Sequence, residues 1–218
     1  MKRDESDPGA PGAREPEVPR PARAAGSDER LRVFLAVFPA PEVQAAVAAA
    51  IEALRRPGDG VSWVKRENLH FTLRFLGEVG ASGARRAGAA AAEAAAAHQA
   101  FDAAPSGLGA FPGERRARVL WVGLSEGAAP LEALARDLER ALERRGFEPE
   151  GRAFTAHLTI GRVREPGRDW TEALASVRLP AMRWRVERLQ VIRSTLSPKG
   201  SIYEEIAGAR LGAAADAP

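Results

Sequence analysis

The residues with the clearest chemical potential fall in two tetrapeptides, His70-Phe71-Thr72-Leu73 and His157-Leu158-Thr159-Ile160. The chain has three histidines in 218 residues, and two of them open the same pattern: His-x-Thr followed by Leu or Ile. In an extended strand, side chains two apart share a face. Each segment therefore presents one imidazole and one hydroxyl on one side and two apolar anchors on the other. A single occurrence would read as a core histidine bonded to backbone. The pair reads as one shared site.

Imidazole titrates near neutrality, so two of them can act as acid and base within one reaction. Cleaving a phosphodiester needs both roles, a base for the nucleophile and an acid for the leaving oxygen. The hydroxyls of Thr72 and Thr159 can donate to the non-bridging oxygens, and arginine can balance the charge that develops there. A metal fits less well. Two histidines underfill a metal site, cysteine is absent, and neither motif supplies a carboxylate at strand spacing. No metal and no other cofactor is expected.

Two arginines flank the motifs. Arg74, four residues after His70, falls on the histidine face by alternation and is expected to contact substrate. Arg162, five after His157, is off that parity and needs a bend near Gly161 to reach the phosphate. Lys65, Arg66 and the basic stretch at 114–118 read as solvated loop charge. Phe34 and Trp63 read as core, Tyr203 as a residue that could stack a base, and His98 as a bystander.

Rigid elements must hold the tetrapeptides. Residues 31–38 form an apolar, β-branched and aromatic run ended by Pro39, a strand, and Pro41 then suits the first turn of a helix to about 56. Strands are predicted at 61–64 and 69–76, and an alanine-dominated helix at 81–100. Two more strands, 101–111 and 118–124, flank Pro112-Gly113. Leu131, Leu134, Leu138 and Leu142 mark an amphipathic helix over 130–145 with Gly146 as its stop. Strands at 156–161, 179–186, 188–194 and 201–205 and a short helix near 169–176 complete the pattern. Each half runs strand, helix, histidine strand, a weak duplication. Strands outnumber helices, which predicts α+β with mainly antiparallel sheets.

Composition bounds the rest. Hydrophobic residues are 45% and charged residues 28%, within the globular range. No apolar run is long enough to span a membrane, and the N-terminus has no apolar segment of a secretory signal. Residues 1–29 hold Pro8, Pro11, Pro16, Pro19 and Pro21 and more acid than base, and are expected to be a disordered tail. The remainder, 30–211, is expected to be the folded domain, with 212–218 a short flexible C-terminus. All but three of the 32 basic residues are arginine, a bias of a GC-rich genome that also suits an anionic ligand.

The paired motifs resemble the two-histidine (2H) phosphoesterases, specifically the LigT-like RNA 2′,3′-cyclic phosphodiesterases, historically called 2′-5′ RNA ligases. Arg32-Val33-Phe34-Leu35-Ala36-Val37 is similar to the family's opening strand and Trp63-Val64-Lys65-Arg66-Glu67-Asn68-Leu69 to its approach to the first motif. Arg193-Ser194-Thr195-Leu196, with Lys199-Gly200 and Tyr203, is similar to its closing hairpin. The resemblance covers residues 31–211, with one departure: Ala156 stands where the family usually has proline.

That resemblance implies a bilobal fold in which two mainly antiparallel sheets face a central cleft with helices outside. It implies metal-independent opening of RNA 2′,3′-cyclic phosphate ends to 2′-phosphomonoesters. His70 would be the proton donor and His157 the proton acceptor, labels that the near-symmetry of the site allows to be exchanged. Thr72, Thr159, Arg74 and Arg162 would bind substrate. The implied partner is RNA with cyclic phosphate ends, tRNA fragments included, acted on by a bacterial, cytoplasmic monomer with no membrane role. Competing readings are 2′-5′ ligation as the physiological direction, a non-catalytic RNA-binding module, and a phosphodiesterase for small cyclic nucleotides or 2′-5′ oligoadenylates.

Overall fold

The structure is a computed structural model that describes residues 30–213 apart from Pro166 and Lys199. The expected tail at 1–29 and most of the C-terminal segment, 214–218, lie outside the described residues, as does Lys199 of the closing hairpin.

Nine strands form two antiparallel sheets. The chain runs β1 (Leu31–Val37), α1 (Pro41–Leu54), β2 (Val61–Trp63), a 3-10 turn (Arg66–Asn68), β3 (Phe71–Val79) and α2 (Ala81–Ala96). It continues through β4 (Phe101–Phe111), a 3-10 turn (Glu114–Arg116), β5 (Val119–Glu126), α3 (Ala128–Glu143) and β6 (Leu158–Val163). Then follow α4 (Thr171–Ser176), β7 (Trp184–Val186), β8 (Arg188–Ser197) and β9 (Gly200–Arg210). One sheet has the order β3-β1-β8-β9, the other β2-β6-β5-β4-β7. The expected duplication is present as β1–α1–β3 and β5–α3–β6, each pairing its first strand with its last. The lobes are not sequential halves. β2 leaves the first half to pair with β6 of the other sheet, and the closing hairpin β8–β9 returns to the first sheet.

One continuous apolar core serves both sheets. The leucine face of α3 (Leu131, Leu134, Leu138, Leu142) is wholly buried and packs on α2, whose buried face is Gly83, Ala87, Ala90, Ala91, Ala94 and Ala95. Small side chains on α2 let the two helix axes approach, so its alanine bias is a packing solution. α3 ends as expected: Gly146 takes a left-handed φ of 76°, and the Phe147 N–H returns to Leu142 O at 3.2 Å. The strand expected over 179–186 is shorter, only Trp184–Val186. Pro180 has no N–H to give a ladder, which accounts for the late start.

Candidate active site

Both histidines sit one residue ahead of the strands expected to carry them. β3 starts at Phe71 and β6 at Leu158. In each case the ring turns back on its own approach: His70 Nδ1 meets Asn68 O at 2.7 Å and His157 Nδ1 meets Thr155 O at 2.8 Å. A carbonyl only accepts, so Nδ1 carries the proton in both rings. In its neutral form each ring then keeps its Nε2 lone pair for chemistry. Phe71, Leu158 and Ile160 are buried almost completely and anchor the strands behind. The approach to His70 is further fixed by Asn68, a buried side chain whose Nδ2 donates to Ser201 O at 2.8 Å, 133 residues away in sequence.

The two strands share a distortion that strict alternation cannot express. Leu35 pairs with Arg74 and Ala36 with Thr72, so Leu73 is a bulge with no partner. Leu120 pairs with Gly161 and Trp121 with Thr159, so Ile160 is a bulge as well. The fourth residue of each tetrapeptide is thus the extra one, and the facing of everything beyond it inverts. This corrects the expectation for Arg74. Its partner Leu35 is a core residue, and Arg74 points to the core side, 9% exposed. There it meets Glu150 Oε2 at 2.9 Å and Glu139 Oε2 at 3.4 Å, and it also donates to Glu148 O. It lines no part of the cavity at His70. The same inversion turns Arg162 onto the face of Thr159, and in β3 it turns Phe75 onto the face of Thr72.

These residues close around a cavity of about 210 Å³. His70, Thr72, Thr159 and Arg162 all line it, with Arg32, Phe34, Phe75, Asn68, Ser194 and Tyr203 completing the wall. His157 is not part of that wall but stands near enough for its charge to act on His70; the edge of its ring contacts Phe111 at 5.1 Å between centroids. His70 is enclosed by aromatic rings: Phe34 stacks on it at 4.7 Å, with Phe38 and Tyr203 each at 5.4 Å. Burial among these rings disfavours the imidazolium, and Arg162 and His157 push the same way. Against the opposing Asn68 contact, His70 is lowered from 6.5 to about 4. Burial likewise raises the Tyr203 hydroxyl, opposed by the Arg162 charge. Ala156 is half-buried against the core.

Other expectations sort as follows. Phe34 is buried but lines the cavity, in a small apolar cluster with Ala36 and Ile192. Trp63 packs on Trp170 and donates from Nε1 to Asp59 Oδ2 at 2.9 Å. Arg66 donates to Pro41 O, whereas Lys65 lines a groove next to the site. The 114–118 stretch forms the second 3-10 turn, away from the cavity. His98 pairs with Asp137 at 2.8 Å. Sequence reasoning passed over Asn68, Ser194 and Phe75. Asn68 sits within the segment that resembled the family's approach, so its position was the available signal. Among the described residues no group of three His, Cys, Asp or Glu is placed to hold a metal, and no helix is long and apolar enough to cross a membrane.

Known proteins resemble this chain in sequence and in fold. An RNA 2′,3′-cyclic phosphodiesterase of Thermotoga maritima is 32% identical over 174 residues, 80% of this chain and 92% of that protein. The crystal structure of TT0787 of Thermus thermophilus superimposes with a TM-score of 0.70 at 30% identity, covering 84% of this chain and 98% of the other. E. coli LigT complexed with 3′-AMP has the same fold, with a TM-score of 0.66 at 23% identity over 84% of this chain and 99% of its own. The family model for the 2′-5′ RNA ligase superfamily matches residues 41–197, a span that holds both bulged His-x-Thr strands. The chain belongs to the 2′-5′ RNA ligase superfamily.

Proposed function

We propose that this protein hydrolyses RNA 2′,3′-cyclic phosphate ends to 2′-phosphomonoesters by a metal-independent, two-histidine mechanism. The observation that carries the reading is the matched pair of imidazoles. Each has its Nδ1–H held by a backbone carbonyl two residues earlier and its Nε2 free, and His70 shares its cavity with Thr72, Thr159 and Arg162. Relatives named RNA 2′,3′-cyclic phosphodiesterase support the substrate class.

In this mechanism His157 takes a proton from water as its oxygen bonds to phosphorus. The bond from phosphorus to the 3′ oxygen breaks, and His70 delivers a proton to that oxygen. One water is consumed and the phosphate remains on the 2′ position. Thr72 and Thr159 donate to the non-bridging oxygens, and the Arg162 guanidinium offsets the charge that builds there. Both proton transfers are supplied by side chains, so no Lewis acid is required. The test is a short oligonucleotide ending in a 2′,3′-cyclic phosphate, incubated with EDTA. Its product is mapped by mass and by phosphatase. Gain of one water with the phosphate on the 2′ oxygen is the expected result. Loss of activity on chelation, restored by a divalent ion, would overturn it.

A further inference from the structure

A second cavity, about 470 Å³, opens off the catalytic one. The two share Val64, Asn68, Arg162, Leu196, Ser201 and Tyr203, so they form one continuous groove. Its extension runs between β2, which supplies Ser62 and Trp63, and the tip of the β8–β9 hairpin, which supplies Ser197 and Gly200. Among the described residues two further cations line that extension, Lys65 and Arg164, and no carboxylate does. Among the described residues neither has an acidic partner. Charges left unpaired along a groove that leads away from an anion site are the electrostatic footprint of a second anion.

The spacing fits a nucleic-acid strand. Arg162 and Arg164 lie two residues apart where the chain leaves β6, and two extended residues advance the backbone by roughly 7 Å, comparable to the separation of successive phosphates in an extended strand. Lys65, just beyond β2, reaches the hairpin tip, where a side chain at Gly200 would meet its Cε at 3.6 Å. Leu196, 66% exposed, lines both cavities and offers an apolar surface within the groove.

We propose that Lys65 and Arg164 bind the phosphodiester on the 5′ side of the terminal nucleotide, so that the groove takes a polynucleotide end in preference to a free cyclic mononucleotide. The proposal rests on the hydrolytic reading above and adds a second phosphate subsite to it. One charge-assisted contact of this kind corresponds to roughly tenfold in affinity.

The experiment compares three substrates: adenosine 2′,3′-cyclic phosphate, the same compound carrying a 5′-phosphate, and the dinucleotide ApA ending in a 2′,3′-cyclic phosphate. Each is assayed with the wild-type protein and with the double variant K65Q/R164Q. Wild type is expected to favour both 5′-phosphorylated substrates over the first by roughly tenfold or more in kcat/KM. In the double variant that ratio should fall towards one. The salt dependence of dinucleotide binding should also become shallower, by roughly 0.7 in the log–log slope for one single-strand phosphate no longer neutralised. A wild-type ratio near one overturns the subsite. So does a dinucleotide advantage that survives in the double variant, since the gain would then come from the second base. Turnover of none of the three would overturn the hydrolytic reading instead. The subsite is then judged by calorimetric Kd values for the same substrates, where the same ratios support or overturn it.

Discussion

His70 has a lowered proton affinity and, in the proposed mechanism, must give a proton away. At about 4 in the empty cleft, it is neutral at pH 7, so the proton it donates must arrive with the substrate. The magnitude can be worked out. A phosphate monoanion about 4 Å from the ring, at an effective dielectric of about 20, favours the imidazolium by roughly 4 kcal/mol. That corresponds to roughly three pH units. Further loss of water from the ring as the ligand seats offsets part of this, so the bound-state value should lie near 6, roughly two units above the free protein. The measurement is an NMR titration of the His70 ring with and without saturating adenosine 2′,3′-cyclic phosphate, in a His157→Gln variant that leaves the ligand uncleaved. Binding at pH 5 should also take up close to one proton, read by calorimetry in buffers of different ionisation enthalpy. Kinetics give an independent check. The limb where the donor loses its proton should lie near 4 in kcat/KM, which reports the free protein, and roughly two units higher in kcat, which reports the complex. If His70 stays below about 5 with ligand bound, it cannot be the donor. The roles of the two histidines would then be exchanged.

The bulges make two further predictions. Arg162→Gln should lower kcat by roughly 100-fold, the usual scale for losing one group that stabilises developing negative charge, with an unchanged melting temperature. Arg74→Met should do the reverse, losing about 1–2 kcal/mol in urea unfolding because its ion pairs with the partly exposed Glu139 and Glu150 are lost, while kcat per folded molecule holds. Equal kinetic losses in the two variants would contradict the facing deduced from the register. Gly161→Ala should cost about 1–3 kcal/mol, because a Cβ there would meet Val61 Cγ1 at 2.8 Å and Trp63 Cε3 at 3.0 Å. The displaced β2 should also carry Arg162 off the phosphate and reduce kcat. A variant with full stability would show that β2 yields freely.

Most elements were legible because each is written in local chemistry. The leucines of α3 recur at helical spacing, β1 is β-branched and aromatic, and Gly146 and Pro41 sit where a helix stops and starts. The tetrapeptides were legible for the same reason, since His-x-Thr is a two-residue relationship. What failed depended on pairing partners. That Leu73 has none follows from the spacing of hydrogen bonds between β1 and β3, and nothing in the residue itself differs from Phe71. The same holds for β2, three residues whose sheet is decided by Gly161 admitting Trp63 and Val61 at close range. The link from Asn68 to Ser201 joins positions that no local window contains.

The duplication then explains why two equal-looking histidines can carry unequal roles. β1–α1–β3 and β5–α3–β6 follow the same path and place their bulges at the same step. Position for position, Phe34 and Phe75 of one half correspond to Val119 and Arg162 of the other, since each pair lies across the ladder just beyond the bulge. One half thus spends its cleft face on aromatic rings, which strip water from His70 and keep it neutral until an anion arrives. The other half carries a guanidinium at the equivalent position, and its charge lowers the proton affinity of His70. In the proposed mechanism that same guanidinium meets the phosphate, and the anion brought against His70 outweighs the cation that opposed its proton. The proposed order is then docking of the phosphate on Arg162, protonation of His70, and only after that proton delivery to the leaving oxygen.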